Sequence, residues 1–568
     1  MRFHSPLVDA VLLLAMALPY FINLGTSSIW DASEAFYAET PREMLVTGDF
    51  LAPHFNFAPR VQKPPLTYWI IAASYKIFGI SEFAVRLPGA FAGLGIILFS
   101  YGIGRRLFTR RAALMAALIT GTTARIFILA RRLPIDIFLL FFLMGLLYFL
   151  VRAVQTRKKN AWIPVYLFAA LGFLTKGPVA VFIPAAAFIL WALAARRLRI
   201  ADFHFLPGSL LFLAVVLPWY LLIYLRHGWT YIAPFFLKDN LGRFASESFG
   251  PSRGLFYYFG VGASDFFPWS VLALCAGIVL WRCRKTERPL KSLEYGLPIF
   301  WCGLIFVFFS LSKNKQEYYI APMYPVAAIL IAGVLDGMFE KRISAAANRF
   351  RDASASWWLW AFAFLAFILT VFCLSTPYVF YLFMPDVRPA FHYAAAIILL
   401  AGCALFVWSV VRKHLKQCFS VLTALLWIMY MMCVTIYLPG LEQYRPVKKL
   451  CRLIETQLDA DAESGYFRTA LPSMAFYLRR PIFEESSLAG MRRRFYSGKR
   501  VFCIMSRKAY DSFAAGKEEG IYILARHPRF AVRVDALLNT RHSQEEELLL
   551  ISNRPSEKIK AVGDRATS

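Results

Sequence analysis

The chain has 568 residues, of which 58% are hydrophobic, and its mean hydropathy is +0.52. Soluble domains are less apolar, and apolar stretches of spanning length recur from Leu7 to Leu438, so the sequence predicts a multi-span membrane protein. The formal net charge is +28. Its Lys and Arg residues form short clusters between the apolar stretches, as in cytoplasmic loops, which argues against a nucleic-acid-binding protein.

The apolar stretches predict about thirteen transmembrane helices. They cover residues 8–25, 83–103, 112–130, 134–153, 161–175, 179–195, 205–225, 267–283, 295–311, 319–337, 357–376, 391–411 and 418–438. The first resembles a signal sequence, with Arg2 ahead of it. Because "NLGTSSIWD" contains no small-x-small cleavage site, we interpret this stretch as an uncleaved first span.

Basic loops set the orientation of these spans. Basic clusters such as residues 105–111 and 157–159 occur in every second loop, and placing them in the cytoplasm places the N-terminus there too. The short stretch Pro64 to Gly79 would break this alternation if it crossed the membrane, so we expect an interfacial or re-entrant helix. Residues 26–82 then form one extracytoplasmic loop, and an odd number of spans places residues 439–568 on the same side.

The chain therefore divides into a transmembrane domain, residues 1–438, and an extracytoplasmic domain, residues 439–568. In the second, "RPVKKLCRLIETQL" predicts a helix that begins near Pro446, and "RVFCIMS" and "ELLLIS" predict short strands. The expected fold class is an all-α polytopic membrane protein with a small α/β C-terminal domain. The polar end, "NRPSEKIKAVGDRATS", predicts a disordered tail.

Nine cysteines are present, and none forms a CxxC pair, so they predict no metal site. Only Cys451 and Cys503 lie in the polar C-terminal region. They are either bridged, which an extracytoplasmic location permits, or simply buried.

An acidic motif opens the loop 26–82, namely "WDASEAFYAETPREM", Trp30 to Met44. In a helix that begins at Asp31, the side chains of Asp31, Glu34 and Arg42 lie on one face. Pro41 is expected to bend or end that helix. Our candidate for a general base is Asp31, with Glu34 as the alternative. The competing interpretation is structural, because Asp31 at the N-cap and Glu34 three residues later form a capping box.

Further polar and charged side chains gather, by this topology, on the same side of the membrane. They are Lys63, Asp136, Lys176, Asn240, Arg243, Lys313 and Lys315. A lone Lys in such a turn is often only an anchor, and Asp136 can simply pair with Arg131 or Arg132 nearby. Several outer segments that each carry a cation instead indicate a binding site for an anionic head group, above all phosphate.

Taken together, these segments resemble the ArnT-like branch of the membrane GT-C glycosyltransferases, which is related to the protein O-mannosyltransferases. The matching pieces extend from residue 30 to about residue 325 and are "WDASEAFYAETPREMLVTGDFLAPHFN", "KPPLTYWIIAASYKIFG", "RLPGAFAGL", "LGFLTKGPVA", "LPWY", "DNLGRF" and "KNKQEYYIAPMYP". The resemblance implies a GT-C-type transferase in the bacterial inner membrane, with its active site and C-terminus on the periplasmic side. Members take a sugar from a polyprenyl phosphate donor, commonly undecaprenyl phosphate, and pass it to a lipid, glycan or protein.

The best-known branch moves 4-amino-4-deoxy-L-arabinose onto lipid A, and lipid A modification is therefore one expected function. Members of that branch usually read "DETRYAE" where this chain reads "SEAFYAE", so Ser33 and Phe36 replace an Asp and an Arg. They read "EKP" where this chain reads "QKP", with Gln62. Asp31 is the acid that we expect to replace the missing one.

Two alternatives accompany this function. One is a protein O-mannosyltransferase-like enzyme that glycosylates secreted proteins. The other belongs to a different class, a lipid or sugar transporter. Transporters keep charged groups near mid-span, whereas the charges here gather at one surface, so a transferase is favoured.

The expected mechanism is a single displacement that inverts the anomeric centre. Lys63 and Arg243, assisted by Lys313 or Lys315, stabilise the leaving phosphate. Substrate positioning is assigned to Tyr37, Arg42, Asp136, Lys176, Asn240 and Tyr319. A divalent cation stays open as a cofactor, because acids gather at this edge, although no His-rich ligand set accompanies them.

Overall fold

The computed structural model of the protein describes most of the chain. The described residues are 6–31, 33–60, 62–132, 134–197, 203–242, 253–284, 289–339, 348–383, 389–459, 461–515, 520–528 and 547–555. Within them the chain is mostly helical, with a five-stranded sheet near the C-terminus. Arg243 and the predicted tail beyond residue 555 lie outside the described ranges.

Apolar helices build the first part of the chain. In order they are α1 (Pro6–Phe21), α2 (Ser33–Thr47), α3 (Leu66–Phe78), α4 (Glu82–Leu107), α5 (Arg110–Gly121), α6 (Ala124–Arg132), α7 (Ile135–Thr156), α8 (Ile163–Lys176), α9 (Val179–Ala194), α10 (Phe205–His227), α11 (Trp229–Ala233), α12 (Tyr257–Asp265), α13 (Trp269–Arg282), α14 (Leu293–Leu311), α15 (Tyr324–Phe339), α16 (Asn348–Phe383), α17 (Pro389–Val411), α18 (Leu415–Met432) and α19 (Leu438–Leu441). Shorter helical turns connect them at Lys159–Ala161, Pro234–Gly242, Pro289–Lys291, Glu317–Met323, Cys433–Tyr437 and Glu442–Tyr444.

Eight of the described helices are long and apolar enough to cross a membrane. The number rises to ten if each of two bent pairs, α5 with α6 and α12 with α13, counts as one span. The other three predicted spans coincide with α1, α8 and α9, which have 16, 14 and 16 residues. At about 1.5 Å per residue these helices are shorter than a hydrocarbon core of roughly 30 Å. The multi-pass prediction is confirmed. Among the described residues, eight to ten of the predicted spans are candidates by length and composition, and the other three coincide with these shorter helices.

The short apolar stretch after the first loop forms α3, which has 13 residues. Its length of about 20 Å is too small to span a bilayer, as expected for an interfacial or re-entrant helix. The helix stops at Gly79, whose φ of 76° suits a residue without a Cβ.

Ion pairs join helix ends on one side of the bundle. Asp9, near the start of α1, binds Arg110 at the start of α5, with 2.5 Å between Oδ1 and Nη2. Asp336, near the end of α15, binds Arg111. These contacts bring the N-termini of α1 and α5 and the C-terminus of α15 to the same end of the bundle. The segment after α1 leads to α2 at the other end, in agreement with the alternation of the predicted spans.

A small α/β unit follows the last long helix. Its strands are β3 (Glu463–Phe467), β4 (Phe483–Glu485), β5 (Val501–Ser506), β6 (Tyr522–Pro528) and β7 (Glu547–Ser552), in the order β4-β3-β5-β7-β6. β3 runs parallel to both of its neighbours, and β7 runs antiparallel to both of its own. The helices are α20 (Val447–Glu455), α21 (Ser473–Leu478), α22 (Leu488–Phe495) and α23 (Arg507–Ala514). Both predicted strands and the predicted helix are present, so the small α/β domain is confirmed.

The two cysteines of this unit are buried and not bridged. Neighbouring residues of β5 alternate between two apolar layers, one on each face of the sheet. Cys451 of α20 packs in one layer, while Cys503 of β5 packs in the other, beside Met491. The sheet therefore separates the two thiols.

The α/β unit is fastened to the loop between α1 and α3. The Asn56 side chain, in the hairpin of β1 (His54–Phe55) and β2 (Ala58–Pro59), donates to the Ile482 carbonyl at 2.7 Å and accepts from the Ile482 N–H at 2.8 Å. The indole of Trp30 lies between two guanidinium groups, 3.9 Å from that of Arg132 and 4.0 Å from that of Arg445. Arg132 belongs to the helical bundle and Arg445 precedes the α/β unit, so this stack joins the two parts.

Candidate active site

A cavity of about 830 Å³ lies beside α2, which also contacts the α/β unit. Its wall is mainly apolar and aromatic, as is usual for ligand pockets of this size. The lining residues are Ser33, Phe36, Tyr37, Arg60, Gln62, Lys63, Pro134, Ile135, Asp136, Leu139, Leu143, Lys176, Pro178, Val179, Phe182, Ile183, Phe236, Asp239, Phe308, Phe309, Ser312, Tyr318, Tyr319 and Pro322. Segments far apart in the sequence thus supply a few charged groups to one space.

Lys63 and Asp239 form the first charged pair of the wall. Lys63 follows the β1–β2 hairpin, and Asp239 lies in the π-helix Pro234–Gly242. Their Nζ and Oδ2 atoms are 3.9 Å apart, and the side chains are 15% and 7% exposed. This separation is at the limit of an ion pair, so the ammonium group can reach an anion in the cavity while the carboxylate stays close.

Asp136 and Lys176 form the second charged pair. Asp136 lies in the first turn of α7, and Lys176 is the last residue of α8. The two side chains form a salt bridge. The ammonium group also lies over the rings of Tyr319 and Tyr318, at 4.9 and 5.6 Å from their centroids. Carboxylate, ammonium and aromatic groups therefore meet at one place on the wall, where a sugar could receive both hydrogen bonds and stacking contacts.

Tyr37 adds a further polar side chain to the cavity wall. Its ring stacks on Tyr68, with 5.7 Å between the centroids. Burial raises the pKa of the Tyr37 hydroxyl well above its usual value, and the charges of Arg60 and Asp136 also act on it. The hydroxyl is therefore neutral near pH 7, which leaves it able to donate a hydrogen bond.

The helix that carries the acidic motif differs from its prediction. α2 runs through Pro41 to Thr47. Proline removes one backbone hydrogen bond, but packing over most of the helix surface maintains the helix on both sides of it. Ser33, Phe36 and Tyr37 of its first turn reach the cavity, while the acids of the motif do not.

Glu34 has the contacts of a structural ion pair. Its carboxylate is completely buried and accepts from Arg86 at 2.7 and 2.9 Å, and from the Trp30 N–H at 2.8 Å. Arg86 donates further to the carbonyls of Leu24, Ser27 and Ser28. A general base needs access to the acceptor, and Glu34 is enclosed away from the cavity wall. Its position fits the capping interpretation of the motif better than the catalytic one.

Asp31 also has a structural contact. Its Oδ1 accepts from the N–H of Ser473, at the first turn of α21, at 3.0 Å. The carboxylate therefore stabilises the start of a helix in the α/β unit. Asp31 precedes α2, is partly exposed and lies outside the cavity wall.

Arg42 is buried within α2, where it is held by Glu39. The guanidinium binds both carboxylate oxygens of Glu39, at 2.7 and 2.6 Å. Glu43 lies beside this pair and accepts from the N–H of Phe57 at 3.0 Å. Arg42 was assigned to substrate positioning, but it does not line the cavity, and Glu39 of the same helix holds its guanidinium.

Replacement of Glu43 by Gln is expected to stabilise the protein increasingly as the pH rises. Burial, with a further contribution from Glu39, raises the pKa of Glu43 from 4.5 to about 8. Folding therefore favours the protonated form, so the stability this group gives is complete below about pH 4.5 and lost as the pH rises to about 8. Because Gln stays neutral, we expect its gain over wild type to be about 2 to 4 kcal/mol larger at pH 9 than at pH 5, the range allowing for partial solvent screening.

Thermal unfolding of detergent-solubilised protein between pH 5 and 9 measures this difference. The control is Glu485→Gln in the α/β unit. Hydrogen bonds from Ser487 lower the pKa of Glu485, so this variant gains nothing over wild type as the pH rises through that range. Parallel curves for wild type and Glu43→Gln would show that Glu43 is ionised in the folded state.

The remaining predicted residues lie beside the cavity or outside the described part of the chain. Lys315 is buried and donates to the carbonyl of Ser312, a wall residue, while Lys313 is exposed. Asn240 lies in the π-helix next to Asp239, but its side chain is not among those described. Arg243 lies outside the described residues altogether.

Of the twelve predicted site residues, the structure thus brings five together on one wall. They are Tyr37, Lys63, Asp136, Lys176 and Tyr319. Two charged wall residues, Arg60 and Asp239, were missed. Asp239 is the first residue of the quoted segment "DNLGRF", so the sequence did carry a signal for it, but Arg60 carried no spacing pattern of its own.

The described wall combines cations that suit a phosphate with carboxylates and tyrosines that suit sugar hydroxyls. Within the described ranges, no group of three or more His, Cys, Asp and Glu side chains is arranged to hold a metal ion. The chemistry that these residues can support is stabilisation of a phosphate leaving group beside a hydrogen-bonded sugar.

Comparison with known proteins identifies relatives of this arrangement. Residues 62–222, which include Lys63, Asp136 and Lys176, match the family described as dolichyl-phosphate-mannose-protein mannosyltransferase. An uncharacterised protein of Aquifex aeolicus is 27% identical over 95% of this chain and 98% of its own length. The undecaprenyl phosphate-alpha-4-amino-4-deoxy-L-arabinose arabinosyl transferase 1 of Pseudomonas fluorescens is 30% identical over 57% of this chain. That alignment spans 59% of the transferase's own length.

A solved structure shares the fold over nearly the whole chain. It is the crystal structure of ArnT from Cupriavidus metallidurans bound to undecaprenyl phosphate, with a TM-score of 0.76 and 22% identity. The superposition covers 97% of this chain and 99% of that one. Together with the apolar helices, these relatives indicate a multi-pass protein of a bacterial inner membrane. The chain is thus similar to ArnT-like glycosyltransferases in sequence and shares the fold of ArnT.

Proposed function

We propose that this glycosyltransferase moves a sugar from a polyprenyl phosphate, in particular undecaprenyl phosphate, to an acceptor at the periplasmic face of the inner membrane. The observation that carries the proposal is the cavity in which Lys63 and the Asp136–Lys176 pair converge. The acceptor is lipid A or another lipid or glycan. The C-terminal α/β unit lies on the same, periplasmic side in this proposal.

The donor phosphate is placed at Lys63. Transfer of the sugar leaves negative charge on the lipid phosphate, and a cation in a partly buried wall stabilises that charge more than it stabilises the intact donor. Lys63 meets this requirement because its side chain is partly buried and lines the cavity. Arg243, which lies outside the described residues, is the second phosphate ligand in this proposal.

The acceptor is placed at Asp136. Among the described wall residues only Asp136 and Asp239 carry carboxylates. Asp136 is favoured because α7 and Lys176 fix its position, and because the rings of Tyr318 and Tyr319 provide a surface for a sugar next to it. It accepts the proton of an acceptor hydroxyl as that oxygen attacks the anomeric carbon. A direct attack of this kind is a single displacement and inverts the anomeric centre.

Lys63→Ala tests the donor assignment. Purified protein in lipid nanodiscs, supplied with undecaprenyl phosphate that carries a radiolabelled sugar and with an extract of membrane lipids, is expected to form a labelled lipid product. In the variant the KM for the donor should rise about tenfold or more, because a charge-assisted contact to phosphate is lost. Lys499→Ala, a change in an exposed lysine of the α/β unit, is the control. No label transfer by the wild type would contradict the proposed function.

A further inference from the structure

Arg60 differs from the other cations of the cavity wall. Each wall lysine faces an aspartate, Lys63 facing Asp239 and Lys176 facing Asp136. No carboxylate among the described residues lies within ion-pair distance of Arg60, although its guanidinium lines the cavity. The described wall therefore carries one net positive charge, and Arg60 is its origin.

Aromatic rings hold this guanidinium in place. It lies 4.0 Å above the ring of Phe36 and 6.0 Å from that of Phe55, and these two rings contact each other edge to face. The Arg60 Nε donates a long hydrogen bond to the Tyr68 hydroxyl at 3.4 Å, and its backbone N–H binds the Pro53 carbonyl. Stacking leaves the terminal nitrogens of the guanidinium available to a ligand, since a ring face accepts no strong hydrogen bond from them.

Ser33 lies on the same wall as Arg60, and its side chain is uncharged. Ser33 is three residues before Phe36, so both lie on one face of α2 and both line the cavity. A serine hydroxyl can form hydrogen bonds with a sugar hydroxyl, but it cannot neutralise the charge of an ammonium group on a sugar. This part of the wall therefore combines a permanent cation with a neutral hydroxyl.

From this charge arrangement we propose that Arg60 makes the sugar subsite specific for an uncharged or acidic sugar and excludes a cationic amino sugar. The inference rests on the proposed function and defines its substrate class. A polyprenyl phosphodiester brings one negative charge, which the net charge of the described wall balances. An amino sugar would add a second positive charge beside Arg60, where the partly buried wall screens like charges less than water does.

Binding of three lipids in the absence of acceptor tests this proposal. The lipids are undecaprenyl phosphate, undecaprenyl phosphate-linked L-arabinose, and undecaprenyl phosphate-linked 4-amino-4-deoxy-L-arabinose. We expect wild-type protein in nanodiscs to bind the uncharged sugar lipid about tenfold more tightly than the amino sugar lipid, which corresponds to one weak like-charge contact. Arg60→Gln should reduce this ratio toward one, Arg60→Glu should reverse it, and Arg60→Lys should preserve it.

Arg468→Gln is a matched control. Arg468 of the α/β unit also lies over a phenylalanine ring, that of Phe467 at 5.1 Å, but it is remote from the cavity. This variant should keep the wild-type ratio. Tight binding of the amino sugar lipid by the wild type would overturn the proposal while leaving a polyprenyl phosphate transferase intact.

The phosphate itself is the other source of negative charge that Arg60 could bind. If Arg60→Gln weakens the binding of all three lipids by the same factor, including that of undecaprenyl phosphate without a sugar, Arg60 binds the phosphate. The specificity proposal is then overturned. If none of the three lipids binds to the wild type, the proposed function fails and this inference fails with it.

Discussion

Asp136→Asn is expected to lower the turnover number of sugar transfer by about 10²- to 10⁴-fold, the usual contribution of a general base. The amide keeps the shape of the side chain but cannot accept the proton of the acceptor hydroxyl. Donor binding should change little, since Lys63 and not Asp136 contacts the donor phosphate in the proposed arrangement. Label transfer at saturating donor, together with donor binding without acceptor, separates the two effects.

Asp511→Asn, a change in an exposed carboxylate of α23, is the control for Asp136→Asn and should keep full activity. The variant also leaves Lys176 without its salt bridge, which can disturb the wall. The double variant Asp136→Asn/Lys176→Met removes that unpaired charge and should stay as inactive as the single variant. Wild-type turnover by Asp136→Asn would refute the base assignment and direct attention to Asp239.

Glu34→Gln is expected to lower the free energy of unfolding by about 3 to 5 kcal/mol, because it leaves the fully buried guanidinium of Arg86 without its counter-ion. Molecules that still fold should keep nearly the wild-type turnover number, since Glu34 does not reach the cavity. Thermal unfolding in detergent, followed by size-exclusion chromatography, gives the stability and the folded fraction. Turnover is then expressed per folded molecule.

The double variant Glu34→Leu/Arg86→Met distinguishes a lost charge partner from a lost catalytic group. It replaces the buried ion pair by apolar side chains and should recover part of the stability that Glu34→Gln loses. Its folded molecules should remain active. The hydrogen bonds from Arg86 to the carbonyls of Leu24, Ser27 and Ser28 are not restored, so recovery is incomplete. Inactive Glu34→Gln protein with an unchanged unfolding temperature would instead support Glu34 as the base.

The helices and strands could be predicted because their signals are local. Each predicted span coincides with a described apolar helix or a bent pair of helices, since hydropathy depends on neighbouring residues. The alternating segments "RVFCIMS" and "ELLLIS" became β5 and β7 for the same reason. Helix breaks were less predictable: the predicted span 112–130 consists of two helices, α5 and α6, which are bent by 58° relative to each other without a change in hydropathy that marks the break.

The roles of the acids could not be predicted, because they depend on partners far away in the sequence. The spacing of Asp31 and Glu34 indicates a helix start, but Arg86 and Ser473, which bind them, lie 52 and 442 residues further along the chain. Lys63 and Asp136 were easier to identify, because a charged residue at the edge of an apolar stretch stands out on its own. Arg60 had no such signal, since only the fold shows that it lines a cavity and that no carboxylate of the described residues pairs with it.

The contact between Asn56 and Ile482 links the cavity wall to the α/β unit. The two hydrogen bonds join the β1–β2 hairpin to the α/β unit, and Arg60 follows directly after β2. The hairpin therefore connects the α/β unit to the part of the cavity wall that Arg60 forms. A movement of the α/β unit that keeps both hydrogen bonds would therefore also move the backbone next to Arg60.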